Sequence, residues 1–222
     1  DAVAKLPEAP AVLYFLVPPG ALAGPGSVEA ALETLRPLLA VAPPARVVLA
    51  SSTVVYGDRS GGRVDARSEA CGRGPRAERQ RAIEAWWQAS GLPVIIVRLA
   101  GLYGPGRIIG ARGLAAGEPV SGSADAWLNL VQVNDAASLL HRVATMSSPP
   151  AMALGVDDMP VRRRDYYAFV AGAIGATLRF TGEAAGRDSR RCDNAVTKAD
   201  TGWAPAYPDY RAGVTAALAA DD

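Results

Sequence analysis

The stretch "VVLASSTVVYG", residues 47–57, decides how the rest of the chain is read. Its first half belongs to an apolar run, 45–52, without polar alternation, as expected of a strand buried on both faces in a parallel sheet. Its second half sets Ser51, Ser52, Thr53 and Tyr56 at and just beyond the strand's end, where open α/β sheets place ligands.

Working outward, "AVLYFLV" (11–17) is a second buried strand bounded by "PPG". "SVEAALETLRPLLAVA" (27–42) carries apolar residues at helical spacing behind Ser27, a good N-cap. "PRAERQRAIEAWWQAS" (75–90) is a helix with Pro75 in its first turn and Gly91 at its end. "LPVIIVRLAGLYG" (92–104) is a third buried strand. Strands alternating with helices predict an α/β fold, a Rossmann-like doubly wound parallel sheet. Further on, 128–146 reads as a short strand and a helix, 151–156 as a strand, 160–175 as a helix, 178–182 as a strand and 209–220 as a last helix. Residues 1–104 are read as a partial dinucleotide-binding domain. Residues 105–222 are read as a smaller substrate-side lobe interleaved with the last sheet elements.

The 222 residues are half hydrophobic and carry a formal charge of +1, which recruits neither nucleic acid nor an anionic membrane surface. No apolar run is long enough to span a bilayer. Cys71 and Cys192 are far apart with no partner spacing. They suggest buried thiols in a reducing, cytoplasmic setting. The single histidine, His141, sits in a helical run and reads as a surface or packing residue; no metal site is expected.

The Ser-Ser-Thr strand end with Val-Tyr-Gly resembles the extended short-chain dehydrogenase/reductases of the NAD-dependent epimerase/dehydratase type. The helix at 75–90 follows at that family's spacing. "VRLAGLYGPGR" (97–107) resembles its next strand and turn, and "NLVQVNDAASLL" (129–140) its Asn-x-Ile-His-Val-Asp-Asp segment. "RCDNAVTKADTGWAPAYPDYRAGV" (191–214) resembles the C-terminal end of an atypical branch. The likeness implies an NAD or NADP cofactor lined by Val17, Pro18, Ser51, Ala100, Gly101 and Leu102. It implies a small-molecule substrate lined by Tyr103, Asn129, Arg191 and Asn194.

That family's chemistry uses a strand-end hydroxyl, a tyrosine that moves the proton, and a lysine one helical turn on that lowers the tyrosine pKa. The resemblance puts Ser52 at the hydroxyl position, with Thr53 beside it. The tyrosine position falls on Arg76 and the lysine position on Gln80. A guanidinium stays protonated and an amide carries no charge, so this pair cannot do that work. Arg76 can bind a carboxylate or phosphate, or stabilise developing negative charge; Arg76 and Gln80 can equally be solvent-facing positions of "RAERQR". Tyr56 and Tyr103 are the tyrosines near enough to substitute, or else packed rings. The run "RRRD" (162–165) reads as a solvated helix face.

The family opens with a glycine-rich turn that carries the cofactor pyrophosphate, and residues 1–45 contain none. "YGPGRIIG" (103–110) only imitates one. With "AVLYFLV" matched to the family's fourth strand, its outer edge is expected to lie open. A longer polypeptide, a second copy of the chain or another partner would cover it. Three functions stay in view: an oxidoreductase or epimerase, a non-catalytic dinucleotide or metabolite binder, and an interaction protein using that edge.

Overall fold

In the computed structural model, which describes residues 11–22, 27–182 and 190–221, the apolar runs assemble into one parallel sheet. β1 (Leu13–Phe15) leads through α1 (Val28–Glu33) and α2 (Arg36–Val41) to β2 (Val47–Ser52). A 3-10 turn (Thr53–Tyr56) and β3 (Arg63–Val64) precede α3 (Pro75–Gln88), β4 (Val94–Leu99) and β5 (Gly101–Tyr103). Then come α4 (Ala111–Ala115), β6 (Val120–Ser121), β7 (Trp127–Leu128), β8 (Leu130–Gln132), α5 (Val133–Thr145) and β9 (Met152–Gly155). The chain closes with β10 (Val161–Arg162), α6 (Arg163–Ala173), β11 (Phe180–Thr181), β12 (Arg191–Cys192), α7 (Ala195–Thr201) and α8 (Tyr210–Asp221).

The main sheet runs β1-β2-β4-β9, all neighbours parallel. Alternate residues go to opposite faces, as the pleat requires. Val47, Leu49 and Ile96 pack with Leu32 of α1 and Ile83, Trp86 and Trp87 of α3. Val48, Ile95 and Val97 pack with Ala136, Leu139, Leu140 and Val143 of α5. Helices therefore cover both faces, and the expected doubly wound architecture is present. A separate apolar cluster joins α6, α8 and β8, with Tyr166, Val170, Tyr210, Val214 and Leu130 buried in it.

Several boundaries differ from the sequence reading. The helix over 27–42 is two helices, because Pro37 has no N–H to offer the Glu33 carbonyl and the ladder breaks there. The strand expected over 92–104 is also two. Ala100 N–H still bonds Gly155 O at 2.9 Å, whereas Gly101 N–H bonds Asn129 O at 3.0 Å, so the chain changes sheets within one residue. Val161 and Arg162, read as the start of a helix, instead form a strand antiparallel to β7. The strands β3, β6 and β12 and the helix α7 are too short to show a period in the sequence, whereas β11 lies within the strand read at 178–182. Among the described residues β1 is an edge strand bonded on one side by β2, with Tyr14 and Leu16 exposed beside it. Residues 1–10 and 23–26, part of the stretch that lacks a glycine-rich turn, lie outside the described residues.

Candidate functional site

Where β1, β2 and β4 end, a cleft of about 460 Å³ opens. Local geometry builds it. Ser52 caps the 3-10 turn, its Oγ accepting from Val54 N–H at 3.3 Å. Gly57 takes a positive φ of 69°, and its missing Cβ lets the Gly72 backbone come close: a Cβ there would lie 2.9 Å from Gly72 Cα. The Gly72 N–H then bonds Val55 O at 2.7 Å. This clamp fixes the loop that leads into α3 beside the strand end.

On α3, Arg76, Gln80 and Glu84 follow one another at four-residue spacing along one stripe. Their fates differ with depth. Glu84 is buried and fully engaged: Ser51 Oγ donates to its Oε1, while Arg98 donates from Nε at 3.1 Å to Oε1 and from an outer nitrogen at 2.8 Å to Oε2. The Arg98 guanidinium also lies 4.8 Å above the Tyr56 ring. Gln80, one turn up, lines the cleft, and Arg76 stands exposed at its mouth. Among the described residues neither of these two side chains has a hydrogen-bond partner.

The opposite wall is set by Asn129. Its side chain donates to Arg190 O at 3.0 Å and accepts from Cys192 N–H at 2.7 Å, pinning β12 against the cleft. Arg190 is buried and points inward, donating to Gly57 O at 3.0 Å and to Thr53 Oγ1 at 3.4 Å. Its Nε is buried without a partner among the described residues.

The cleft thus gathers Val17, Pro18, Ser51, Ser52, Thr53, Arg76, Gln80, Ala100, Gly101, Leu102 and Asn129. Arg107 and Arg190 join them unannounced. The one usable signal for Arg190 was the Arg-Arg pair at the start of the 191–214 resemblance, with the choice between the two left to strand phase. Arg190 lines the main cleft, and Arg191 and Asp193 line the second one.

Four sequence candidates lie elsewhere. Tyr56 is fully buried, and its hydroxyl has no partner among the described residues. Burial pushes it up to about 12, with Arg98 only partly offsetting this. Tyr103 is buried against Gly213 of α8 with an unpartnered hydroxyl, raised by the same desolvation. Arg191 and Asn194 line a second cleft, of about 420 Å³, on the far side of β12. There Arg191 Nε donates to Gly61 O at 2.8 Å, and Asn194 donates to Val156 O and Asp158 Oδ1, each at 2.7 Å. Cys192 is buried and its thiol is pushed up to about 11 by desolvation; Cys71 is half-buried and donates to Tyr56 O. His141 is exposed on α5. Among the described residues no group of three acidic, histidine or cysteine side chains is placed to hold a metal ion, and no helix is long and apolar enough to cross a membrane.

The model of the NAD dependent epimerase/dehydratase family matches residues 28–155, more than half of the chain and the span from α1 to the end of β9. The chain belongs to that family. Among solved structures, a conserved protein of unknown function from Silicibacter pomeroyi is 27% identical, with a TM-score of 0.78 over 94% of this chain and 77% of that one. MoeE5, solved with UDP-glucose and NAD, has a TM-score of 0.79 at 20% identity over 98% of this chain and 82% of its own. RMD from Pseudomonas aeruginosa, solved with NADPH, has a TM-score of 0.78 at 20% identity over 99% and 83%. The last two show likeness of fold alone. No match was found among curated proteins.

Proposed function

We propose that this cleft binds NAD or NADP together with a small molecule, and that the protein does so without the family's tyrosine–lysine proton transfer. One observation carries the reading. Arg76 and Gln80 share a cleft with the Ser52 and Thr53 hydroxyls, while Tyr56 is sealed beneath it. A permanently charged guanidinium and a neutral amide hold ligands but do not cycle protons.

The residues fit one end of a dinucleotide. Ala50, Ala100 and Gly101 line the strand ends with small side chains, and Val17 and Pro18 stand beside them. A glycine-rich pyrophosphate turn is not among the described residues, so that end would be held elsewhere. When bound, the cofactor would supply or accept hydride. Ser52 keeps its hydroxyl hydrogen for a substrate oxygen, because its lone pair already takes the Val54 N–H. Residues 1–104 would serve the cofactor and 105–222 the substrate, with Asn129 setting the position of β12 between them. The open edge of β1 would be covered by a second copy or by another polypeptide strand.

A second reading, turnover of the oxidoreductase or epimerase kind, draws on the free Ser52 hydroxyl and on Arg76 as a stabiliser of developing negative charge. Titration with NADH and NADPH, followed by nicotinamide fluorescence, tests the first reading: saturable binding is expected, and none at millimolar cofactor would overturn it. A substrate screen separates the second, because only a catalyst gives cofactor oxidation that Ser52→Ala reduces.

A further inference from the structure

Among the described residues, those lining the main cleft include three arginines, Arg76, Arg107 and Arg190, and no carboxylate. The whole chain carries a formal charge of only +1, so this clustering is local. Arg76 and Arg107 are exposed, and among the described residues neither side chain has an ion-pair or hydrogen-bond partner. Arg190 is itself nine-tenths buried and keeps an unpartnered Nε. Glu84, on the same stripe of α3 as Arg76 and Gln80, is buried and already taken by Ser51 and Arg98. Around Arg76 the unspent groups, the Gln80 amide and the Ser52 hydroxyl, also have hydrogens to give.

We infer that the cleft is a receptor for a small polyanion, a phosphate ester or polycarboxylate with at least two charged groups. Arg76, with Gln80 and Ser52 beside it, takes one acid group; Arg107 and Arg190 take the other. This deepens the proposed reading by assigning the class of its small molecule: the ligand presents an acid group at the place where the family's proton-transferring hydroxyl would stand. A planar guanidinium with free N–H groups matches carboxylate or phosphate in two-point contact, and low-dielectric walls strengthen the attraction.

The test uses inorganic pyrophosphate and citrate as probes, by calorimetric titration of the 222-residue chain without dinucleotide. Saturable binding that weakens at raised salt is expected for at least one probe. Arg76→Ala should weaken it by about tenfold or more, and Arg107→Ala by a smaller factor. Arg76→Lys should recover only part, because the two-point geometry is lost. Arg36→Ala, which alters a guanidinium already engaged with Glu33 and Trp86 outside the cleft, should leave the affinity unchanged. Thermal unfolding of each variant checks that it is folded. No binding of either probe at millimolar concentration, or equal affinity in Arg76→Ala, would overturn the inference. If the probes bind while NADH and NADPH do not, the cofactor reading falls and the polyanion site holds. Dinucleotide binding without probe binding removes the polyanion site and supports the cofactor reading.

Discussion

The two clefts on either side of β12 have similar volumes and are both lined by charged side chains, yet they have spent those side chains differently. In the far cleft nearly every charge is committed to the protein. Lys198 pairs with Asp158 at 2.6 Å, Arg63 with Asp193 at 2.6 Å, and Arg191 lies 5.4 Å from the Trp127 ring centre. In the main cleft Glu84 and Arg98 are paired, but among the described residues Arg76 and Arg107 have no side-chain partner and Arg190 keeps an unpartnered Nε. A polar group with its hydrogen bonds satisfied internally holds the fold together; one left with donors facing a concavity is available to a ligand. This difference, more than cleft size, separates a site from a seam.

The largest expected effect comes from the floor. Glu84→Ala would leave the buried Arg98 guanidinium without its carboxylate, at a cost of about 3–5 kcal/mol. Chemical denaturation measures it. A loss comparable to that of an exposed pair would erase the contrast between a structural floor and a free rim.

Asp157 is the exception in the far cleft. It is almost wholly buried, its Oδ2 has no partner among the described residues, and desolvation raises its carboxyl to about 8. The folded state therefore holds a proton that the unfolded state has released above about 4. Stability should be greatest in acid and fall by a few kcal/mol as pH rises from about 4 to about 8. Asp157→Asn, which can still accept the Met159 N–H, should flatten that slope and unfold at higher temperature than the parent at pH 8. Melting curves at pH 5 and pH 8 decide this. An unchanged slope in Asp157→Asn would mean that another group controls it.

The smallest effect belongs to the paired surface of the far cleft. Lys198 and Asp158 are both about one-third exposed, so Lys198→Ala should cost under about 1 kcal/mol and leave dinucleotide and pyrophosphate titrations unaltered. A loss of affinity there would show that the far cleft also binds ligand.

Much of this was legible in the chain itself. The unbroken apolar runs determine a buried parallel sheet, because only strands covered on both faces need no polar alternation. The motifs from Ser51 to Asn194 place the chain in its family. Four-residue spacing puts Arg76 and Gln80 on one side of α3, since 3.6 residues make a helical turn.

Tertiary structure decided the rest. The strand period of two says that Arg190 and Arg191 face opposite ways, but the pairing of β12 with β3 chooses which one enters the cleft. Tyr56 follows the Ser-Ser-Thr strand end as a catalytic candidate would, yet the packing of Arg98 over its ring seals it below the floor. Whether a side chain's hydrogen bonds are spent depends on partners brought from far along the chain, which no local pattern contains. That accounting separates Glu84, engaged by Ser51 and Arg98, from Arg76, left free two turns away on the same helix.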